Sequence, residues 1–379
     1  METYDAIVIG GGMAGVSIAY ELQGDRRVAL LERESQLAFH TTGRSAATFL
    51  ETYGGTQIRA LTTGSRAFFE NPTAPVEHSP LTSLGLVWIA TEPNIARIHQ
   101  MYDEMSPLVR EVRVLTPSEA CELNPILNEG YLALALFEPG AMEIDVHLLH
   151  QGFVRGFADR GGVVRTDAWI TGAVRSEDFD VDHVWTLTDA TGNKYRAPLV
   201  INAAGSWVDV VAATFGARSV GIAPLRRSIF MVPSPRGSDT AALPMAADVE
   251  NTFYVKPDGE QYLCSPAEEV LQSPSDPRPD ELRIAQAMEA IDAATHIAPR
   301  HVRSSWAGLR NFAPDRVPVI GFDPRLQGFF WFAGQGGYGI QTAPASARLG
   351  AALVRGEGAP TDLLDRGLDT RALSPARFG

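Results

Sequence analysis

Lysine is nearly missing from this chain. Only Lys194 and Lys256 occur in 379 residues, so almost all of the 32 basic side chains are arginine, a bias we read as a habit of the source genome. Basic residues are outnumbered by 45 acidic ones, which leaves a formal net charge of -13 and a pI near 5.1. A surface for nucleic acid or anionic lipid needs clustered Lys and Arg, so no nucleic-acid partner is expected. Cysteine is scarce too. Cys121 and Cys264 stand far apart, forming neither a disulfide framework nor a zinc pattern, which fits a reducing compartment. The eight histidines are scattered; His147 and His150 fall three apart on an expected helix without a Cys or carboxylate partner, and no metal site is expected. No apolar run reaches membrane-spanning length and no leader precedes the first strand near Tyr4, so the expectation is a cytoplasmic protein without a membrane span. There is no internal repeat and no low-complexity segment.

What is present is ordinary globular material, 45% hydrophobic and 20% charged. The length allows two domains, or one α/β domain with a large insertion. Residues 4–34, "YDAIVIGGGMAGVSIAYELQGDRRVALLERE", read as a βαβ unit: an apolar strand, a helix from Met13 to Leu22, and a second buried strand "VALLE". Helical spacing returns at "TQIRALTTGSRAFFE", near 92–105, at "DVHLLHQGFVRGFADRGG" and near 279–294. Short strands are expected at "LVWIA", "YLALALFEP", "PLVINAAGSW", and near 219–235, 253–257 and 261–264. The chain closes with a strand, a glycine loop and a helix in "GFFWFAGQGGYGIQTAPASARLGAALV". Nucleotide-domain pieces at the start, middle and end imply two interleaved domains.

Gly10, Gly12 and Gly15 form G-x-G-x-x-G between strand and helix. The first glycine permits the tight turn, the second lets the backbone approach a pyrophosphate, and the third lets helix and strand pack closely. Glu32 ends the second strand, where a carboxylate can accept both hydroxyls of an adenosine ribose. Together they predict a bound dinucleotide. Gly334, Gly336 and Gly339 repeat the spacing, but the forty residues after Gly339 are too few for a second βαβ unit. That loop is either a helix N-terminus aimed at a negatively charged ring edge or an ordinary strand–helix turn. "HTTGRSAA", residues 40–47, either runs along the cofactor or is a solvated loop. Arg310, in "WAGLRNFAPD", raises a sharper question, because a guanidinium among apolar neighbours is costly to desolvate unless an anion meets it.

Taken together, "DAIVIGGGMAG" with Glu32, "HTTGRSAA", "LVINAAGSW", "FYVKPD", "WAGLRNFAPD" and "GGYGIQT" resemble the D-amino-acid oxidase-like family of FAD-dependent oxidoreductases, and most of all its bacterial D-arginine dehydrogenase branch. The similarity runs from near Met1 to about residue 375. It implies an α/β fold, with a Rossmann-type FAD-binding domain (1–55, 143–218 and 306–379) interleaved with an α+β substrate domain (56–142 and 219–305) on a curved, mostly antiparallel sheet. It also implies noncovalent FAD, since neither cysteine matches a flavin-linking position. The activity implied is oxidation of a D-amino acid to an imino acid, which water converts to a 2-oxo acid and ammonia. Electrons would pass on to a quinone-type acceptor or oxygen.

Residue by residue, the resemblance implies that Arg310 meets the substrate carboxylate, with a hydrogen bond from Tyr254. It places Tyr53 over the substrate, the Gly337 carbonyl on the amino group, and Arg227 or Arg226 in the pocket, Arg227 being preferred. The alternatives from the residues alone are a structural ion pair for Arg310 and core packing for the tyrosines. Implied cofactor contacts are Gly10, Gly12, Met13, Ala14, Gly15, Glu32, Arg33, Thr41, Thr42, Gly43, Arg44, Ser45, Ala46, Ala47, Val174, Ala203, Ala204, Gly205, Trp207 and Gly308. The glycine loop adds Gly336, Gly337, Tyr338, Gly339, Ile340, Gln341 and Thr342. No side-chain acid or base need act, because a neutral amine can release a hydride from Cα to flavin N5 once the two are aligned.

The sequence departs from the arginine-preferring branch at two pocket positions. A carboxylate there aligns near Leu86, within "LTSLGLVWIA", and a histidine aligns with Thr48. Both changes favour apolar or neutral side chains, unless Glu51 or Glu77 compensates. Competing readings are an oxygen-using D-amino acid, glycine or secondary-amine oxidase, a flavin-binding protein without turnover, and a 2-hydroxy-acid dehydrogenase. The last would want a base for the hydroxyl proton, for which no clear candidate is found.

Overall fold

The structure is a computed structural model describing residues 1–379 except 73–74, 110, 177–183, 236–239 and 241. Its organising element is a six-stranded sheet in the order Val163–Arg165, Val28–Leu31, Ala6–Ile9, Leu199–Asn202, Phe329–Ala333 and Val319–Phe322. All neighbours are parallel except the last pair. Its central strands are apolar, Asn202 at the end of one excepted, because both faces are buried. Ala6, Val8, Val28, Leu30, Ile201 and Phe330 point to one face, under Val16, Ile18 and Leu22 of the helix Met13–Leu22 and Leu349 of the helix Ala343–Arg355. Ile7, Ile9, Ala29, Leu31, Val200 and Trp331 point to the other, against Ile170, Trp185, Leu187 and Tyr195 of a four-stranded sheet.

The first helix runs over Met13–Leu22, as its spacing requires. A Cβ on Gly15 would lie 1.7 Å from the Gly10 carbonyl oxygen, so helix and strand could not approach this closely with any other residue.

A second large sheet takes its strands from the stretches between. Its order is Gln335–Gly336, Ser304–Phe312, Ala223–Pro233, Gln261–Ser265, Tyr254–Asp258, Met245–Asp248, Leu86–Ala90, Leu134–Glu138 and Arg113–Leu115, with Val270–Leu271 beside the third. It is mostly antiparallel, with Met245–Asp248 and Leu86–Ala90 the parallel pair. One face packs Val87, Ile89, Phe230, Val232, Val255 and Cys264 against Ile284, Ala287 and Ile291 of the helix Glu281–Ala294. Period-two alternation therefore turns Leu86, Trp88, Met245, Ala247, Tyr254, Arg227 and Ile229 to the opposite face, which becomes the floor of the cavity. Among the described residues, no helix is long and apolar enough to cross a membrane.

Candidate active site

A cavity of about 540 Å³ runs from the glycine turn after the first strand to the face of the second sheet. At one end Gly10, Gly12, Met13 and Ala14 form the wall, with Glu32, Arg33, Ala203, Ala204, Gly205 and Trp207 around them. Glu32 is fixed from two sides: its Oε2 accepts from the Gly11 N–H at 2.6 Å and its Oε1 from the Glu34 N–H at 2.8 Å. Thr42 Oγ1 accepts from the Met13 N–H at 3.0 Å. His150, on the helix Val146–Asp159, meets the Gly11 carbonyl at 3.0 Å, and burial pushes its pKa down. That histidine braces the glycine turn; among the described residues, no group of three His, Cys, Asp or Glu side chains is arranged to hold a metal.

The segment 40–47 is not a solvated loop. Thr41 Oγ1 donates to the Leu309 carbonyl at 2.7 Å, Arg44 Nη1 to the Ala307 carbonyl at 2.9 Å, and Trp306 Nε1 to the Arg44 carbonyl at 3.2 Å. These bonds pin it along the strand Ser304–Phe312, with Thr41, Thr42, Arg44, Ser45, Ala46, Ala47 and Thr48 in the cavity wall. Gly308, Gly336, Gly337, Gly339, Ile340 and Gln341 line the same cavity. The closing helix begins only at Ala343, with Thr342 as its N-cap.

The far end is built by strand pairing. Ala223–Pro233 and Ser304–Phe312 run antiparallel, with Arg227 opposite Gly308 and Leu225 opposite Arg310. Directly opposed residues share a face, so Arg227 and Arg310 both reach the cavity. Arg226 takes the other face, where its Nη2 donates to Asp280 at 2.5 Å and its Nε lies 3.7 Å from Glu268. Arg310 Nη2 donates to the Tyr53 hydroxyl at 2.6 Å. A Cβ on Gly337 would fall 1.6 Å from Arg310 Nη2, so the guanidinium lies flat against a bare Cα. Tyr254 completes this end, and burial pushes its pKa up.

The anion that Arg310 meets within the chain is Glu269, absent from the expectations above. Glu269 Oε1 accepts from Arg310 Nη1 at 3.0 Å and from Arg316 Nη2 at 2.9 Å, and lies 3.6 Å from Arg227 Nη2. Burial works against the Arg310 charge, but Tyr53 and Glu269 outweigh it and hold the pKa up. Arg227 moves the other way, pushed down by burial and by the charge of Arg310. The only sequence signal for Glu269 was a bare Glu-Glu pair after Pro266.

Six expected residues lie outside the wall. Val174 is 70% exposed near the outer end of the strand Ile170–Arg175; the cavity is met instead by Ala168, Trp169, Ile170 and Thr171 at the strand's start. Arg226 is drawn off by Asp280 and Glu268. Gly15 and Gly43 serve packing, with Cβ positions 1.7 Å and 2.5 Å from the Gly10 and Ala38 carbonyl oxygens. Tyr338 packs on Tyr53 at 4.7 Å between ring centroids, and Thr342 donates to the Tyr338 carbonyl.

Leu86 and Thr48 line the cavity beside Leu50, Trp88, Met245, Ala247, Asn251 and Phe253. Glu51 is held by Arg66 at 2.7 Å, and Glu77 is exposed. A different carboxyl stands close by. Glu138 lies directly opposite Leu86 on the neighbouring strand, 1% exposed, with the Thr52 hydroxyl as its partner. Burial raises its pKa to about 7. It is not itself one of the residues of the cavity wall.

The cavity fits FAD by its own chemistry. A glycine turn and helix start stand beside a clamped carboxylate, and His40 Nδ1, Trp88 Nε1 and Gln335 Nε2, all on residues of its wall, are buried without a partner among the described residues. Cys121 and Cys264 are free thiols and neither reaches it. A dinucleotide cradle opening onto a charged pocket defines a nucleotide-cofactor oxidoreductase. More narrowly, the chain belongs to the DAO family of FAD-dependent oxidoreductases, which it matches over residues 5–353. It is 26% identical to glycine oxidase of Geobacillus kaustophilus over 386 residues, 95% of each chain. The crystal structure of that enzyme superposes with a TM-score of 0.83 at 22% identity, over 100% of this chain and 99% of that one. Mitochondrial dimethylglycine dehydrogenase of Mus musculus is 25% identical over 99% of this chain and 44% of its own length, so the present chain spans less than half of that relative. L-proline dehydrogenase from P. horikoshii has a TM-score of 0.80 at 18% identity, covering 100% and 98%. These relatives support the family and not its D-arginine dehydrogenase branch in particular.

Proposed function

We propose that this flavoenzyme oxidises α-amino monocarboxylates, D-amino acids with apolar or neutral side chains, to imino acids that water hydrolyses to 2-oxo acids and ammonia. The observation carrying the reading is the placement of Arg227 and Arg310 side by side at the end of the cavity, with Tyr53 and Tyr254 beside them. Planar guanidinium groups there take up a carboxylate through paired N–H donors. Leu50, Leu86, Trp88, Met245 and Ala247 form an apolar wall for the substrate side chain. The Gly337 carbonyl is the proposed acceptor for the amino group, and Thr48 the small polar group at the side-chain end.

Bound FAD would supply the two-electron acceptor for the hydride leaving the substrate Cα. It would be held by Gly10, Gly12, Met13 and Ala14 at its phosphates and by Glu32 at its ribose. Arg310, Arg227 and Tyr254 fix the carboxylate, which leaves the Cα one allowed orientation in the cavity. The closing apolar wall excludes water while the amine lone pair forms the C=N bond. The reactive amine is the neutral one, so turnover rises with pH toward the substrate's own amine pKa.

A second reading, oxidation of glycine or an N-methylated glycine, is favoured by the relatives: glycine, dimethylglycine and proline are all α-amino carboxylates. The deciding experiment is an anaerobic titration of the flavin-loaded protein with D-Leu, D-Met, D-Phe, D-Arg, the matching L-forms, glycine and sarcosine. Bleaching by apolar D-forms ahead of D-Arg supports the proposal. Bleaching by glycine or sarcosine alone, or by L-forms alone, overturns it. Admitting air then separates an oxidase, which recolours rapidly with peroxide, from a dehydrogenase with another acceptor.

A further inference from the structure

We infer that Glu269 is the charge-setting and positioning residue of the carboxylate subsite, and that it restricts the enzyme to monocarboxylate substrates. The inference rests on the reading of Arg227 and Arg310 as a carboxylate clamp. Three arginines meet around Glu269: Arg227, Arg310 and Arg316. Arg226 is taken up by Glu268 and Asp280 on the other face of its strand. Glu269 offsets Arg316 and leaves the Arg227–Arg310 pair to one substrate carboxylate.

Glu269 is the hinge of that arrangement. Its Oε1 is shared among Arg310, Arg316 and Arg227 at 3.0, 2.9 and 3.6 Å, and its Oε2 accepts from Arg316 Nη1 at 3.0 Å. It is not part of the cavity wall that Arg227 and Arg310 form, so a ligand need not displace it. Gripped by Glu269 and by Tyr53, the Arg310 guanidinium lies flat on Gly337, its orientation fixed by groups other than the substrate. Two like charges this close would repel in a water-poor pocket without an anion between them. Arg316, with 48% of its side chain exposed, is the outer counter-charge that keeps Glu269 from cancelling the clamp.

Charge at this position sets which anions bind. With Glu269 ionised, a second carboxylate on the ligand finds no unpaired guanidinium. With Glu269→Gln, it finds one. The test is calorimetric titration of the flavin-loaded protein with butyrate and succinate, ligands of equal carbon number and one or two carboxylates. The wild type is expected to prefer butyrate, and Glu269→Gln to raise the succinate-to-butyrate affinity ratio about tenfold. Glu269→Asp should restore the wild-type ratio. Arg316→Gln lowers the charge of the cluster by one and should weaken both ligands, succinate more than butyrate. It also keeps the test open should Glu269→Gln fail to fold, because strengthened or unchanged binding by Arg316→Gln would overturn the inference. An unchanged ratio in folded Glu269→Gln overturns it while leaving the clamp standing. Binding of neither ligand to the wild type overturns the clamp itself, and the inference with it.

Discussion

The two ends of the cavity are made in different ways. The dinucleotide end is built round two short runs, 10–14 and 31–33, with residues 203–207 beside them, and works mainly through backbone groups, bare glycines and one clamped carboxylate. The carboxylate end is assembled from Arg227, Tyr254 and Arg310, brought together by antiparallel pairing, and from Tyr53 in a turn, and is held by counter-charges further out. The first is a property of local geometry, sensitive to volume. The second is a property of charge balance, sensitive to single side chains yet separable from the fold.

The largest effect that would break this contrast is at Gly15. A Cβ there sits 1.7 Å from the Gly10 carbonyl oxygen and 2.9 Å from its carbonyl carbon, and backbone cannot swing aside as a side-chain end would. Gly15→Val should cost about 3 kcal/mol or more and yield protein without bound flavin. Visible absorbance of the purified variant and its thermal midpoint check this. A yellow variant of native stability would show that the turn is looser than the 1.7 Å approach implies.

At the opposite end, Arg310→Met should lower kcat/KM by about 10³-fold, because it removes paired charged hydrogen bonds and leaves Glu269 short of a partner. Flavin content should stay at the wild-type level, as Arg310 belongs to the carboxylate end. Loss of flavin together with activity would mean that the two ends are not separable.

The contrast also explains what the sequence discloses. The glycine spacing, Glu32 and the both-faces-apolar strands are short-range patterns, legible without any partner. Strand alternation puts Arg226 and Arg227 on opposite faces, but which of them faces the cavity follows only from the pairing with Gly308, so the sequence left that choice open. Glu269 was invisible because its meaning depends on Arg310, 41 residues on, and Arg316, 47 residues on. Val174 was misplaced because the strand Ile170–Arg175 touches the cavity only at its first residues and then runs out to solvent. Glu138 could not be found by searching the stretch around Leu86, since register with a strand some fifty residues later brings it there.

Glu138 gives a smaller effect, read in stability. Its pKa is raised from 4.5 to about 7 by burial, so the folded state holds a proton that the unfolded state releases. The stabilisation is fully present below pH 4.5 and is lost as pH rises through about 7. The loss amounts to about 3 kcal/mol at most. Glu138→Gln should flatten the stability profile across that window and gain stability at pH 8.5. Urea unfolding at pH 5 and 8.5 checks it; parallel profiles for the two proteins would mean that the carboxyl is better solvated than its burial implies.

The smallest effect sharpens the account of the side-chain pocket. If Leu86 is what turns the pocket away from cationic side chains, Leu86→Glu should improve D-Arg relative to D-Leu. But Leu86 and Glu138 are directly opposed across an antiparallel pair and share a face. Two carboxyls so placed cannot both ionise without strong repulsion, and Glu138, its pKa already raised by burial, is the one that keeps its proton while the new carboxyl ionises. Leu86→Glu alone should therefore raise the D-Arg to D-Leu specificity ratio about tenfold at neutral pH, and adding Glu138→Gln should change that ratio further by no more than a few fold. The pair of kcat/KM ratios tests geometry and chemistry together. A single variant much weaker than the double would mean that the new carboxyl, not Glu138, holds the shared proton, and no effect of either would mean that side-chain charge is read elsewhere in the pocket.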